Sequence, residues 1–368
     1  MDQYTKCKIT VIGKRRDGGT RYWCLEHKAD ATAKYGKRAR KCRYAHLPSI
    51  SPEEVLHLHI TNYQGGIALW GAVPPVYDTT RLPIDRGIHV HARRVVDGNK
   101  EIDSTARAVR VLGEEDGIPQ EGLVVSELDA IYYMVTSIFG YAMKYIECTL
   151  CRYPHLDKDW FSVHAHRRHL CAGCGQYFRD ADTAIGNPII KIRETLGIKA
   201  RSVAKRASKS IRIRQADYPG GIQIWGSNPA ILWTGPQKEA EGIHAHALDK
   251  DEGERVIDDT FSSVTIDDIK LDPTTIRLLM AQNTLSHVVG RVIDIRCVEC
   301  DQVHLDSGDL AFSPHEGHVC RSCGLEFRIK GRIRQTIGNP TVGILARLAE
   351  TAPRELQNHK AYLVPETL

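Results

Sequence analysis

Short stretches of period-two alternation, punctuated by glycine, dominate this chain. Leu56-His-Leu-His-Ile60 alternates apolar and polar side chains, and so does Ile211-Arg-Ile-Arg214. Both predict half-buried strands. After each comes a Gly-Gly pair and then Ile-x-Leu-Trp-Gly (65–71) or Ile-x-Ile-Trp-Gly (220–226), a turn leading into a short strand. Gly87-Ile-His-Val-His-Ala92 and Gly242-Ile-His-Ala-His-Ala247 predict further strands, with both histidines of each pair on one face. Helical spacing is rarer. Leu128, Ile131, Val135, Ile138 and Ala142 predict a helix over about 126–146. Asp272-Pro273 supplies an N-cap followed by Pro at the first helical position and starts a second helix. Residues 341–348 predict one short helix.

These patterns recur in order. Tyr63 and Tyr218 each precede the first histidine of the His-x-His pair by 26 residues, and Ile102-Asp103-Ser-Thr105 matches Ile257-Asp258-Asp-Thr260. The tag Ile-Gly-Asn-Pro closes both series, at 185–188 and 337–340, and reads as a turn that ends the module. The order predicts a tandem duplication of roughly 53–188 and 211–340. The expected fold class is α+β: a duplicated unit of small β-rich domain, helix and four-cysteine zinc module. A small basic zinc-binding module (1–50) precedes it, a basic segment (189–210) joins the copies, and a tail (341–368) follows.

The four-cysteine units carry the strongest chemical signal. Cys148, Cys151, Cys171 and Cys174 form two C-x2-C pairs separated by 19 residues, and Cys297, Cys300, Cys320 and Cys323 repeat that spacing. Each pair sets two thiolates on one side of a tight turn, and two pairs complete a tetrahedron of sulfur ligands for zinc. The units resemble the zinc-ribbon and treble-clef class of zinc fingers, a likeness confined to about forty residues per copy. It implies closed structural sites. A third zinc site is expected among Cys7, Cys24, His27, Cys42 and His46, with either Cys7 or His46 completing the set.

Histidines and aspartates add a second layer. His155, Asp157, His166 and His169 lie between the cysteine pairs and recur as His304, Asp306, His315 and His318. They fit outer partners of the knuckles, replacement ligands, or a metal or water-activating site of their own. A loose similarity to the His–Asp loop of ββα-metal nucleases fails on spacing. His89 and His91, with His244 and His246, fit either hydrogen-bonded structural pairs or a shared divalent metal. No cupin-like glutamate follows them, and Asp103 and Asp258 are the candidate carboxylates if the next strand returns alongside. His57 and His59, replaced by Arg212 and Arg214, make the first copy the better candidate for a pocket. Trp70 and Trp225 read as core anchors in preference to stacking platforms.

Charge decides the expected partner. The net charge of +5 is mild, but residues 1–50 hold 13 Lys and Arg against 4 acidic residues. Lys14, Arg15, Arg16, Lys37, Arg38, Arg40 and Lys41, with Lys205 and Arg206 between the copies, are the expected phosphate contacts. The start of the chain has no apolar signal segment and no stretch suits a bilayer, so a reducing cytoplasm, with metal-bound thiolates in place of disulfides, is expected. The expectation is a zinc-stabilised protein that binds nucleic acid, DNA or RNA. The rivals are a metal-dependent enzyme acting on nucleic acid or nucleotides, with His89, His91, Asp103, His155, Asp157, His166 and His169 as catalytic candidates, and a zinc-dependent scaffold for protein partners.

Overall fold

The computed structural model describes residues 54–82, 87–95, 99–112, 124–138, 140–150, 152–171, 175–198, 205–236, 240–250, 253–285, 292–329 and 335–353, together with three N-terminal strands. Those strands are β1 (Ile9–Lys14), β2 (Thr20–Cys24) and β3 (Ala29–Asp30), an antiparallel sheet in the order β1-β2-β3. Of the N-terminal metal candidates, Cys7, His27, Cys42 and His46 lie outside the described residues, as do Arg15, Arg16, Lys37, Arg38, Arg40 and Lys41. Cys24 and Lys14 are placed by backbone alone.

The next segment holds β4 (Val55–His59), β5 (Gly66–Ala72), β6 (Tyr77–Asp78), β7 (Gly87–Arg93), β8 (Lys100–Ala106), β9 (Ala108–Leu112), β10 (Val124–Ser126) and helix α1 (Glu127–Ile138). The helix stops short of the expected residue 146, because Gly140 takes φ +67° just beyond its end. Beyond it come β11 (Met143–Lys144), β12 (His166–Leu170) and β13 (Tyr177–Gly186). Residues 189–195, at the start of the basic segment that joins the copies and that reads as either a helix or a flexible linker, form helix α2 (Ile189–Thr195).

From residue 205 the arrangement recurs. It comprises β14 (Lys205–Arg206), β15 (Ser210–Ile213), β16 (Gly221–Ser227), β17 (Leu232–Trp233), β18 (Ala240–Leu248), β19 (Arg255–Phe261), β20 (Ser263–Ile266), β21 (Ile269–Leu271) and α3 (Pro273–Thr284). Asp272 caps α3 by accepting a hydrogen bond from Thr275 N. Short ribbons follow, and α4 (Thr341–Thr351) closes the described chain.

A four-stranded and a five-stranded sheet form the centre, and each borrows a strand from the other half. One runs β17-β5-β7-β8 and the other β6-β16-β18-β14, with β19 also pairing β18. Val76 N and Thr79 N donate to the carbonyls of Ile224 and Ile222, while Ile231 N and Thr234 N donate to those of Leu69 and Ile67. Side chains repeat the reciprocity. Thr234 Oγ1 accepts from Ile67 N, and Thr79 Oγ1 accepts from Ile222 N, each at 2.9 Å. Trp70 Nε1 donates to the Asn228 carbonyl and Trp225 Nε1 to the Val73 carbonyl. Pro74 and Pro75 cannot donate to a ladder, so the chain leaves β5 and crosses to the other half. The two halves therefore share one core, in which Ile67, Leu69, Ile222 and Ile224 are fully buried.

Each central strand presses a glycine against a helix. A Cβ on Gly71 would lie 2.8 Å from Ile131 Cα in α1, and one on Gly226 would lie 2.5 Å from Arg277 Cα in α3. Backbone stands there, so the clash has no cheap relief. Gly71→Ala and Gly226→Ala should each cost ~1–3 kcal/mol of overpacking, read as a lower urea midpoint. An unchanged midpoint for either would contradict this helix–strand contact.

Candidate metal centres around a shared cavity

His89 and His91 stand two residues apart on β7, so both rings leave the same face of the sheet. The next strand, β8, returns antiparallel and sets Asp103 opposite His91. His89 Nε2 and His91 Nε2 are 2.9 Å apart, and each is 3.4 Å from Asp103 Oδ1. The other half repeats the set on β18 and β19, where His246 pairs with Asp258. There the two Nε2 atoms are 2.9 Å apart and stand 3.5 and 3.3 Å from Asp258 Oδ1. His244 Nδ1 also meets Thr260 Oγ1 at 3.1 Å, which orients its ring. Two imidazoles and one carboxylate aimed at a common point form a three-donor face that suits a divalent transition metal and leaves further coordination positions open.

Both sets line one cavity of about 540 Å³ between the paired sheets. Lys100 Nζ sits 3.0 Å from Asp103 Oδ2 and 3.9 Å from Asp258 Oδ2, so one ammonium spans both carboxylates. Arg255 Nη1 approaches Asp258 Oδ2 at 3.5 Å. Arg93, Trp70 and Trp225 complete the wall. Each tryptophan meets the inner histidine edge-on, at 4.9 Å from His91 and 4.8 Å from His246. They serve as cavity wall as well as tie between halves.

Electrostatics leave these donors ready for a cation. Burial, with the neighbouring His91, pushes His89 down to about 4, and burial with His246 pushes His244 down to about 3. Burial alone would raise the Asp103 carboxyl, but hydrogen bonding and charge from His91, with Lys100, hold it well below the carboxylate range. The His246 hydrogen bond holds Asp258 low as well. At neutral pH His89 and His244 are therefore neutral, with lone pairs available, and both carboxylates are charged.

The second layer of histidines is buried within the cysteine units. His155, Asp157 and His169 are 2%, 4% and 0% exposed, and His304, Asp306 and His318 are 6%, 3% and 1%. His155 Nε2 meets Asp157 Oδ1 at 2.6 Å, as His304 Nε2 meets Asp306 Oδ1. The second oxygens accept from Gly186 N and Gly338 N. A Cβ on either glycine would lie 2.9 Å from the Cδ2 of His155 or His304. The Ile-Gly-Asn-Pro tag thus packs against these rings and then opens a helix. Asn187 Oδ1 accepts from Ile189 N at the start of α2, and Asn339 Oδ1 from Thr341 N at the start of α4. The expectation of a terminating turn is corrected here, since the tag joins a strand to a helix.

Cys297, Cys300, Cys320 and Cys323 converge. The Cys297–Cys323 and Cys300–Cys320 sulfurs are each 3.6 Å apart. That is too long for a disulfide of about 2.05 Å and near the ~3.8 Å edge of a tetrahedron with metal–sulfur bonds of about 2.3 Å. All four are free thiols, so this group can hold a metal ion. Each pair closes a knuckle: Asp301 N donates to the Cys297 carbonyl and Gly324 N to that of Cys320, with φ +53° and +75° at the turn residues. Arg152 and Gly175 repeat both features at the carbonyls of Cys148 and Cys171. Cys148 and Cys171 are buried, while Cys151 and Cys174 lie outside the described residues.

Other candidates stand apart. His57 and His59 are exposed on β4, whose sheet is β10-β9-β4, and they do not line the cavity. The expectation that they favour the first half is corrected, since both halves present the same three donors. Arg214 pairs with Asp217, and Arg206 is exposed at an edge strand beside Lys205. Lys100 and Arg255 escaped the sequence reading. Their signal was a basic residue three positions before each aspartate, Lys100-Glu-Ile-Asp103 and Arg255-Val-Ile-Asp258. No family model, curated protein or solved structure matches this chain. Among the described residues, no helix is long and apolar enough to cross a membrane.

Protein whose cavity has been stripped of metal should lose stability on mild acidification. The unfolded chain takes up a proton at His89 near pH 6.5, and the folded one near 4, so between these values the unfolded state binds more protons and stability rises with pH. Thermal melts of chelator-treated protein should fall from pH 6.5 towards 4. The His89→Gln variant should show a shallower fall, and an identical pH slope in the two proteins would contradict the burial of this ring.

Proposed function

We propose that the chain is a metal-dependent enzyme whose reaction centre is the shared cavity and whose substrate is a phosphate ester, a nucleotide or nucleic acid. The observation that carries the reading is the pair of two-histidine, one-carboxylate sets on a single cavity with cationic side chains. A three-donor set leaves a position for water or substrate, whereas a set of four thiolates is closed. Bound there, a divalent metal would polarise a phosphoryl oxygen and make water a better nucleophile at neutral pH. The protein's own contribution is charge and shape. Arg93, Lys100 and Arg255 would neutralise an anionic substrate, and the indoles of Trp70 and Trp225 would offer apolar walls to a base. The volume suits a nucleotide-sized ligand.

The reading includes the organisation behind the site. The two halves are copies of one ancestral unit, folded against each other, and the cysteine sets hold zinc in zinc-ribbon-like modules. The basic residues at the N-terminus and at 205–206 would bring a polyanion to the molecule through salt-sensitive phosphate contacts. Pure nucleic-acid binding and a protein scaffold are the competing readings, and neither calls for six convergent donors on one cavity.

Full-length protein should hydrolyse bis-p-nitrophenyl phosphate, or single-stranded DNA or RNA, with Mn²⁺ or Zn²⁺ added, and EDTA should stop the reaction. His89→Ala and His244→Ala should each lower kcat/KM by at least ~100-fold, more than the loss of an outer partner. Binding in a low-salt shift assay with no turnover under any metal would replace the enzyme reading with the binding one.

A further inference from the structure

The buried sets between the cysteine knuckles are a different kind of site from the cavity. We infer that His155, Asp157, His166 and His169, and likewise His304, Asp306, His315 and His318, each hold a second structural zinc, so that every cysteine unit carries two metals. This goes beyond the proposed reaction and does not depend on it.

Proton positions in two of the rings are fixed by backbone carbonyls. His166 Nδ1 lies 2.8 Å from the His164 carbonyl, and His315 Nδ1 lies 2.7 Å from the Ser313 carbonyl. A carbonyl can only accept, so Nδ1 carries the hydrogen in both rings. In the neutral ring Nε2 then presents a lone pair. That lone pair faces a carboxylate oxygen, at 3.3 Å from Asp157 Oδ1 in one half and 3.2 Å from Asp306 Oδ1 in the other. Two acceptors facing each other in a buried site repel unless a proton or a metal ion lies between them, and a shared proton would draw them to the ~2.7–2.9 Å of a charge-assisted hydrogen bond, shorter than either separation here. His318 Nδ1 lies 3.4 Å from Asp306 Oδ2, and neither ring nitrogen of His318 nor His315 Nε2 has a hydrogen-bond partner.

The spacing names the cation. Ligand atoms about 2.0–2.1 Å from a tetrahedral zinc stand about 3.3–3.4 Å from one another. Asp157 Oδ1 keeps that distance from His166 Nε2 and His169 Nδ1, at 3.3 and 3.4 Å. The fourth donor, His155 Nε2, is nearer at 2.6 Å, a hydrogen-bond length, and must part from the carboxylate by several tenths of an ångström. The ring N–H bonds to carbonyls are the outer contacts that orient metal-bound histidines, and the Gly186 and Gly338 amides fix the second carboxylate oxygens.

The sequence order nests one site inside the other. Outer cysteine pairs flank an inner His-x-Asp and His-x-x-His, and His169 and His318 stand two residues before Cys171 and Cys320. Phe178 and Phe327 pack against the inner rings, with Phe178 5.3 Å from both His155 and His169. Four donors and burial close these sites to water, so their role is to fix the module's fold.

Two measurements on full-length, EDTA-dialysed protein test this. His315→Gln changes the most accessible ligand of its set, at 15% side-chain exposure. It should contain one zinc fewer per chain than wild type, while the thiolate-to-cobalt charge-transfer band of the cobalt-substituted protein stays unchanged. Equal zinc in variant and wild type would overturn the inference. The wild type itself gives the second reading, independent of how any variant folds. Zinc-edge X-ray absorption should show about two sulfurs per zinc on average, with imidazole scattering, whereas a mean near the four of closed thiolate sites would also overturn it. EDTA dialysis empties the open sets at His89 and His244, so neither readout reports on them and failure of the hydrolysis proposal leaves the inference standing.

Discussion

The centre of this molecule depends on two strands of two residues each. β6 and β17 leave their own halves and pair with the opposite sheets, β6 with β16 and β17 with β5. Each contributes few ladder bonds, yet each is backed by a threonine hydroxyl and by an indole N–H that reaches the other half's carbonyl. Buried donors must find partners, so pulling the halves apart would leave six amides and two indoles to be resatisfied. The exchange therefore fixes the halves face to face. It is also why the two three-donor sets face one cavity instead of opposite surfaces, since β5 and β16 carry the borrowed strand on one edge and the histidine strand on the other.

The same donor chemistry appears in two environments with different consequences. On the cavity, three donors meet at a wall that is partly open, and the cationic Lys100 joins the two carboxylates. Inside the cysteine units, three buried donors meet and a fourth, His166 or His315, stands beside the carboxylate, whose second oxygen is already held by a backbone amide. Burial by itself would raise the Asp157 and Asp306 carboxyls, but hydrogen bonds from His155 or His304 and from the Gly186 or Gly338 amide hold both low. An ionised carboxylate among buried imidazoles is expensive unless a cation shares the site. The open set suits chemistry and the closed set suits structure, a division set by access rather than by ligand type.

Much of the site was legible because it rests on local periodicity. Histidines two apart on a strand share a face, and a cysteine pair at fixed spacing closes a knuckle. Asp103 and Asp258 could be named as partners because a strand ending in a turn tends to return antiparallel. What escaped the sequence depended on distance along the chain. Tyr77-Asp78 and Leu232-Trp233 are too short to show a period, and their partners lie more than a hundred residues away. Gly140 ended α1 by backbone conformation, where side-chain spacing alone suggested a longer helix. The Ile-Gly-Asn-Pro tag looked like a turn because Gly, Asn and Pro are turn residues. Here the glycine is required by an imidazole, the asparagine by a helix start and the proline by its first turn.

Comparison of the halves with each other shows which of these features are constraints. Identical residues fall where geometry allows no substitute: Gly71 and Gly226 under a helix backbone, Trp70 and Trp225 on a borrowed carbonyl, Gly186 and Gly338 against an imidazole. The donors of both candidate metal layers are identical too. Residues differ where no such contact exists, as with exposed His57 and His59 against Arg212 and Arg214. Lys100 and Arg255 differ in shape but keep the charge, which is all that pairing with an aspartate in the cavity requires. Arg93, by contrast, is matched in sequence by Leu248 in the other half, so the cavity's positive charge is heavier on the first half. An anionic ligand bound between the two donor sets would be held more strongly from the first half, and the two sets would meet different parts of it.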